Sequence, residues 1–380
     1  WPINIWLYRT WDCYFWFGHN CIIRIIKSME ISTPGRICLF GEHQDYLGLP
    51  VIAMAISLRV RIRGYPRSDR KIVIHKKDFK ETESFSLSDL NYNRPRDYFK
   101  SGLKVCLEEG LVFSNGFECE ITSDIPIQAG TSSSSAIVVS WIHFLSLMAE
   151  KPIKWSLKKL GELAFKAEVL EFGEPGGMMD QYTTAIGNLV YIESEPELFV
   201  KQLSSNLGSF ILGDSGEPKD TMKILKKCRD LRIDIIQNVK LKNKNFDLNS
   251  CGKDLDLSLL NHKEKDLFFS TIENRDILKR AKVELEKENP DHKTLGDLLN
   301  QQHSILREKL DISTKKIESM LKAALDAGAL GGKINGSGGG GCMFVYAPEN
   351  QESIVQAIES SGGEAYIIHS DIGSNFLTYL

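Results

Sequence analysis

Three stretches in the first third of the chain alternate polar with apolar residues: Ser57–Gly64 (SLRVRIRG), Lys71–His75 (KIVIH) and Phe117–Ser123 (FECEITS). A period of two turns one face to a core and the other to water, so each is predicted as a half-exposed strand. Tyr98–Glu109 has helical spacing and stops at Gly110. Ala136–Ala149 (AIVVSWIHFLSLMA) is apolar all round, which predicts a buried helix. Leu157–Phe172 predicts a second helix, and Asn188–Ile192 begins a further strand. Past residue 200 the pattern gives a strand at Ser209–Gly213, a helix at Thr221–Val239 and a polar, weakly patterned stretch at Lys240–Asp266. Helices follow at Leu267–Glu288, Thr294–Lys309, Thr314–Ala327 and near Gln351–Glu359, with a last strand at Ala365–His369. Strands and helices are grouped rather than strictly alternating, which predicts an α+β fold. A chain of 380 residues exceeds one ordinary core, so two domains are expected, 29–200 and 201–380.

Composition narrows the partners. A net charge of −3 gives no basic footprint for nucleic acid or an anionic membrane, and no window holds the roughly 18 unbroken apolar residues of a membrane span. The eight cysteines include no CxxC pair, which points to reduced thiols in a cytoplasmic protein rather than a disulfide framework. Residues 1–28 stand apart: Trp1, Trp6, Trp11 and Trp16 are four of the six tryptophans, and Met29 is followed at once by well-patterned sequence. They are expected to be an upstream or appended extension.

The chemistry collects in a few places. Pro34–Ala55 (PGRICLFGEHQDYLGLPVIAMA) sets Arg36, Glu42, His43 and Asp45 between two apolar runs that predict strands. That is more polar chemistry than a turn needs, and it suits a small polar substrate. The loop Gly130–Ser135 (GTSSSS) joins a strand to the apolar helix, which is expected to start near Ser134. Small residues let a backbone approach a ligand, inward N–H groups form an anion nest, and a helix N-terminus adds its dipole. Its hydroxyls also suit a hard cation such as Mg²⁺. Gly336–Gly341 (GSGGGG) is looser than a hairpin requires and predicts close backbone approach. Glu168 and Asp180 are carboxylates of the kind that phosphoryl transfer places on a metal and beside an acceptor hydroxyl. His143, inside the apolar helix, is expected to be a core histidine.

Taken in order, PGRICLFGEHQDY, PIQAGTSSSSA and KINGSGGGGC resemble the three motifs of the GHMP small-molecule kinases, and GEHQDY with GGMMDQ is most similar to galactokinases. The resemblance implies a two-domain α+β fold with ATP and Mg²⁺ between the N-terminal and C-terminal lobes. It implies that Gly130, Thr131, Ser132, Ser133, Ser134 and Ser135 wrap the phosphates, with Ser134 (or Ser133) and Glu168 on the metal. Arg36 and Asp180 match the catalytic pair; Glu42, His43, Asp45 and Gly177 match sugar-binding positions. The implied activity is phosphorylation of the anomeric (C1) hydroxyl of galactose or a galactose-like sugar. Alternatives are another GHMP acceptor (arabinose, fucose, a uronic acid, mevalonate) or a non-catalytic sugar sensor. Thr131, Ser135, Gln44 and Leu47 depart from the family pattern, and GDSGEPKDT at Gly213–Thr221 replaces a serine/asparagine-basic segment.

Overall fold

A computed structural model describes residues 28–126 and 130–377, so the proposed extension 1–28 lies outside the described residues except for Ser28. In chain order the elements are β1 (Met29–Phe40), β2 (Val51–Pro66), β3 (Lys71–Lys76), β4 (Glu81–Ser86), α1 (Tyr98–Glu108), β5 (Phe117–Ser123), α2 (Ser133–Met148) and α3 (Leu157–Phe165). Then come α4 (Met179–Ile186), β6 (Leu189–Glu193), β7 (Phe199–Leu203), β8 (Ser209–Asp214), α5 (Thr221–Lys242), α6 (His262–Leu285) and α7 (His292–Glu308). The chain closes with α8 (Lys315–Asp326), β9 (Gly331–Ile334), β10 (Cys342–Tyr346), α9 (Gln351–Ser360), β11 (Glu364–His369) and β12 (Asn375–Leu377).

These elements form two sheets. The first runs β12-β1-β2-β5-β3-β4, with β6 and β7 branching from β2; only the β3–β5 pair is parallel. The second runs β11-β8-β10-β9, antiparallel throughout. The alternating stretches fall on β2, β3 and β5 as expected, and the grouping of strands and helices is α+β. Two differences follow from tertiary contact. The turn-rich segment after Gly173 ends in α4, eight residues whose short pattern is hidden behind GEPGGMM. The first sheet also takes in β7 and the distant β12, so the chain returns to it after building the second sheet.

That return is pinned by one side chain. Arg59, mostly buried, donates to Asp371, to Ser32 and Asn375 side chains, and to the carbonyls of Ser32, Ile372 and Gly373. Five donors in a fixed fork suit a guanidinium to this task. His143 joins the same corner, bonding Ser374 Oγ at 2.8 Å, and burial pushes its pKa down to about 4, so it is neutral as a core histidine should be.

A core of Ile62, Ile74, Trp141, Phe144 and Leu163 lies between the first sheet and α1–α3. Phe268, Ile272, Leu306, Met320 and Ile354 fill the helical side of the second sheet. Phe40, Ile52 and Tyr191 of the first sheet also meet Phe210, Leu212 and Phe344 of the second. The two lobes are therefore packed on each other and hold residues of both in fixed relation. Among the described residues no helix is long and apolar enough to cross a membrane, and all six described cysteines are free thiols.

Candidate active site

The small-residue loop meets the expectation of a nest at a helix start. Gly130 and Ser132 take φ of +89° and +59°, and α2 begins at Ser133. Successive turns of this kind aim backbone N–H groups into one concavity. The loop is clamped from both lobes. Its Gly130 carbonyl accepts from Arg36 Nη1 at 2.5 Å and from Asn335 Nδ2 at 2.8 Å, and Arg36 N donates to Thr131 O at 3.1 Å. Gly336, at φ +75°, comes so close that a Cβ there would lie 2.8 Å from Gly130 O. The close approach expected of the glycine-rich segment is thus made against the nest. Thr131 Oγ1 and Ser132 Oγ are buried with no hydrogen-bond partner among the described residues, so the loop holds polar groups that no described residue satisfies.

Beside the loop lies a cavity of about 230 Å³ lined by Ser133, Ser134, Ile137, Phe79, Tyr98 and Arg96. Ser134 is exposed at the surface of the loop. Glu168 stands behind the serines on a π-helical turn, Lys166–Leu170, that continues α3. Such a turn re-aims one side chain out of helical register, a common device at functional sites. Glu168 is 4% exposed and accepts from Gln181 Nε2 at 2.7 Å. Burial pushes its pKa up to about 7, against hydrogen bonds from Gln181, Ser135 and Ser134. The donor set fits Mg²⁺ with nucleotide phosphates: one carboxylate, nearby hydroxyls and two unsatisfied loop hydroxyls. No group of three or more His, Cys, Asp or Glu side chains that could hold a metal alone occurs among the described residues. A cation that keeps water and phosphate oxygens in its shell needs no such cage.

The other end of the site is an ion pair. Arg36 sits on β1 just past a register shift between Pro34 and Arg36, where a Cβ on Gly35 would meet Thr131 O at 2.9 Å. Bulges of this sort aim a side chain off the regular ladder. Arg36 donates to Asp180 Oδ1 through Nε at 2.8 Å, and its Nη2 lies in ion-pair contact with the same oxygen at 2.7 Å. Burial works against the Arg36 charge, yet Asp180 and Glu42 together raise its pKa, so it stays cationic. Asp180 lies in the first turn of α4, its side chain 29% exposed and free to face a ligand.

Asp45 and Gly177 complete this end. A Cβ on Gly177 would fall 2.0 Å from Asp45 Oδ2, so only glycine lets the two approach. Asp45 Oδ1 accepts from Tyr46 N at 3.0 Å, and no described cation pairs with it. Burial first, then the neighbouring Asp180 charge, pushes its pKa up to about 6.

Glu42 and His43, which match sugar-binding positions, also have partners within the protein. Glu42 Oε2 accepts from Lys333 Nζ at 2.8 Å and Gly336 N at 3.0 Å, a staple from the turn after β1 to the third motif. His43, in the left-handed region at φ +62°, donates from Nε2 to Ser337 O at 3.0 Å and accepts at Nδ1 from Tyr46 OH at 2.8 Å. Arg232 of α5 donates to Tyr46 OH and His43 O. Burial and the Arg232 charge hold His43 down to about 3, which keeps it neutral and fixes this tautomer. Both residues bind the lobes together inside the protein.

Four contributors were missed in the sequence. Asn335 and Lys333 stand in the KINGSGGGGC motif but carried no role; Gln181 stands in MDQ; Arg232 is one of many basic residues on α5 and gave no signal. A larger, open groove of about 520 Å³ lies between α6 and α7, lined by Lys279, Thr294 and Gln301 among others, and holds none of these groups.

Comparison with known proteins gives three family-model matches: the N-terminal domain of GHMP kinases over 97–188, the C-terminal of GHMP kinases over 281–364, and a galactokinase galactose-binding signature over 27–65. The chain is similar to a mevalonate kinase of Thermococcus gammatolerans, 32% identical over 88% of this chain and 94% of the relative. It is also similar to a galactokinase of Staphylococcus saprophyticus, 27% identical over 88% of this chain and 89% of the relative. Among solved structures, Lactococcus lactis galactokinase complexed with galactose superposes with a TM-score of 0.78 at 20% identity, over 93% of this chain and 95% of the other.

Proposed function

Because this chain belongs to the GHMP kinase family, ATP-dependent phosphotransferases that act on hydroxyl groups, we propose that its acceptor is a neutral, galactose-like sugar phosphorylated at the anomeric hydroxyl. The observation that carries this reading is the carboxylate pair Asp45 and Asp180 flanking Gly177, with Asp45 unpaired by any described cation. Carboxylates accept hydrogen bonds from sugar hydroxyls, whereas an acceptor bearing its own carboxylate would meet like charge there. The galactose-binding signature over 27–65 supports the same choice.

In this reading the loop 130–135 cradles the phosphates of ATP, and Ser134 with Glu168 holds Mg²⁺. When bound, the metal neutralises charge on the phosphate oxygens. Asp180 accepts or orients the proton of the attacking hydroxyl. The new O–P bond forms as the bond from the γ-phosphorus to ADP breaks. Arg36, joined to Asp180 by a hydrogen bond and an ion pair, keeps that carboxylate aimed and stabilises the developing negative charge. A second reading, mevalonate as acceptor, is favoured by the 32% identity to a mevalonate kinase.

An acceptor panel assayed as ADP release, including galactose, arabinose, fucose, galacturonate and mevalonate, separates the two. Turnover on mevalonate alone overturns the sugar assignment. Asp180→Asn should lower kcat by about 10²–10⁴-fold on whichever acceptor works, the usual weight of a proton-transfer group. A variant with unchanged kcat would remove Asp180 from the chemistry.

A further inference from the structure

The turn after β1 is gripped by three helices of the C-terminal lobe: α5 through Arg232, α6 through Asn274 and α7 through Gln302. Asn274 and Gln302 are 1% and 0% exposed, so neither can touch a ligand. Asn274 Nδ2 donates to Glu42 O at 3.1 Å. The Gln302 amide donates to Leu39 O at 3.0 Å and accepts from Gly41 N at 2.8 Å, the orientation that satisfies both backbone groups. Turned the other way, it donates to Asn274 Oδ1 but sets like against like at Leu39 and Gly41. A carboxamide so placed stands in for a neighbouring strand where β1 ends at Phe40. Among the described residues the two side chains bond only this backbone and each other.

The backbone they hold is tightly constrained. Gly41 takes φ +88°, and a Cβ there would lie 2.8 Å from Cδ1 of Leu278, one turn beyond Asn274 on α6. From Gly41 onward the turn closes on itself. Gln44 N donates to Gly41 O at 3.2 Å, Gly48 N to Asp45 O at 3.1 Å, and Gln44 Nε2 to Pro50 O at 2.6 Å. A shift at residues 39–42 is therefore passed to Asp45, whose carboxylate stands against Gly177. We propose that Gln302 and Asn274 are positioning residues: they fix residues 39–42 so that Asp45 faces the acceptor, and in that way set acceptor affinity from the far side of the turn. A buried polar group is retained at low cost only when its hydrogen bonds are made, and here those bonds go to the segment that must be aimed.

The inference rests on the reading of Asp45 as an acceptor contact. Gln302→Met and Asn274→Leu keep side-chain volume and remove the hydrogen bonds. In the full chain without ligands, Gln302→Met should speed amide exchange at Gly41 about tenfold or more and leave residues 130–136 unchanged. In kinetics on whichever of galactose and mevalonate turns over, each variant should raise the acceptor KM about tenfold, with kcat and the calorimetric Kd for ADP with Mg²⁺ within about twofold of the parent. Asp45→Ala should raise the KM as much, and adding Gln302→Met to it should raise it less than about twofold further, because the contact that the amide aims is already gone. A higher KM in Asp45→Ala with none in either amide variant overturns the inference and leaves the acceptor reading standing. So does unchanged exchange at Gly41, a full further rise in the double variant, or a parallel loss of kcat and nucleotide affinity. An unchanged KM in Asp45→Ala removes the acceptor contact and the inference together. Thermal melting checks that each variant is folded, and if Gln302→Met is not, the same comparison with Asn274→Leu decides.

Discussion

Glu42 and Lys333 make the sharpest case for removing one charge. Their side chains are 3% and 0% exposed, and they meet at 2.8 Å. Glu42→Ala leaves the Lys333 ammonium buried with only the carbonyls of Cys38 and Ile334, at 2.8 and 3.1 Å. Breaking one side of a buried pair costs about 3–5 kcal/mol, because the surviving charge stays desolvated. With an unfolding entropy of about 2.1 cal/mol/K per residue over roughly 350 residues, each degree of Tm is worth about 0.7 kcal/mol, so the expected fall is about 4–7 °C. Calorimetric melting at pH 7 without ligands measures it. Glu42→Leu combined with Lys333→Met removes both charges and should recover most of the loss. If Glu42→Ala costs less than about 1 kcal/mol, or the double variant melts no higher than the single one, the staple is not what holds this corner. The folded double variant also decides the role of Glu42. An acceptor KM within threefold of the parent fits a purely structural carboxylate, and a tenfold rise fits the sugar-reading role that the motif implies.

Asp45 and Glu168 give two further expectations. With its pKa near 6, Asp45 should lose its acceptor-binding form on acidification, so the acceptor KM should rise about tenfold at pH 5 in the parent and stay flat in Asp45→Asn. The sign for stability is the reverse of an ordinary paired carboxylate. The folded state keeps this proton up to about pH 6, so the stabilisation is full below the ordinary 3.8 and is lost as pH rises between the two values. A chemical-denaturation series across pH 3.5–7 that shows no such slope relative to Asp45→Asn would contradict the burial argument. Glu168→Gln should weaken Mn²⁺ binding, read by electron paramagnetic resonance with ADP present, by at least about tenfold. An unchanged affinity would place the metal elsewhere.

The chemistry was legible where function is written in consecutive residues. GTSSSS followed by an apolar run can hardly be other than a loop entering a buried helix, and Gly130 and Ser132 do adopt the positive φ that a nest needs. Arg36 and Asp180 were legible only through the motif resemblance, since they stand 144 positions apart and no local pattern links them. Glu42 and His43 show what neighbours in sequence leave out: read as ligand contacts, they also hydrogen-bond Lys333, Gly336, Ser337 and Tyr46 of the protein. α4 went unseen because eight residues hold barely two turns of periodicity.

What the sequence settled by itself was local: the period of β2, β3 and β5, the apolar α2, and glycines where backbone must come close. Those follow from sterics and from the preference of apolar surface for burial, both of which act within a few residues. What the tertiary structure alone decided was which charges are neutralised. The distance from Glu42 to Lys333 spans 291 positions, and Lys219 lies beside Gly130 only because β10 and the glycine-rich segment bring the lobes together. Coulomb energies depend on separation in space and on exclusion of water, and neither is recorded in the order of residues. For that reason the sequence could name Arg36 and Asp180 as candidates, and only the fold could show that they pair and that a second cation stands over the same nest.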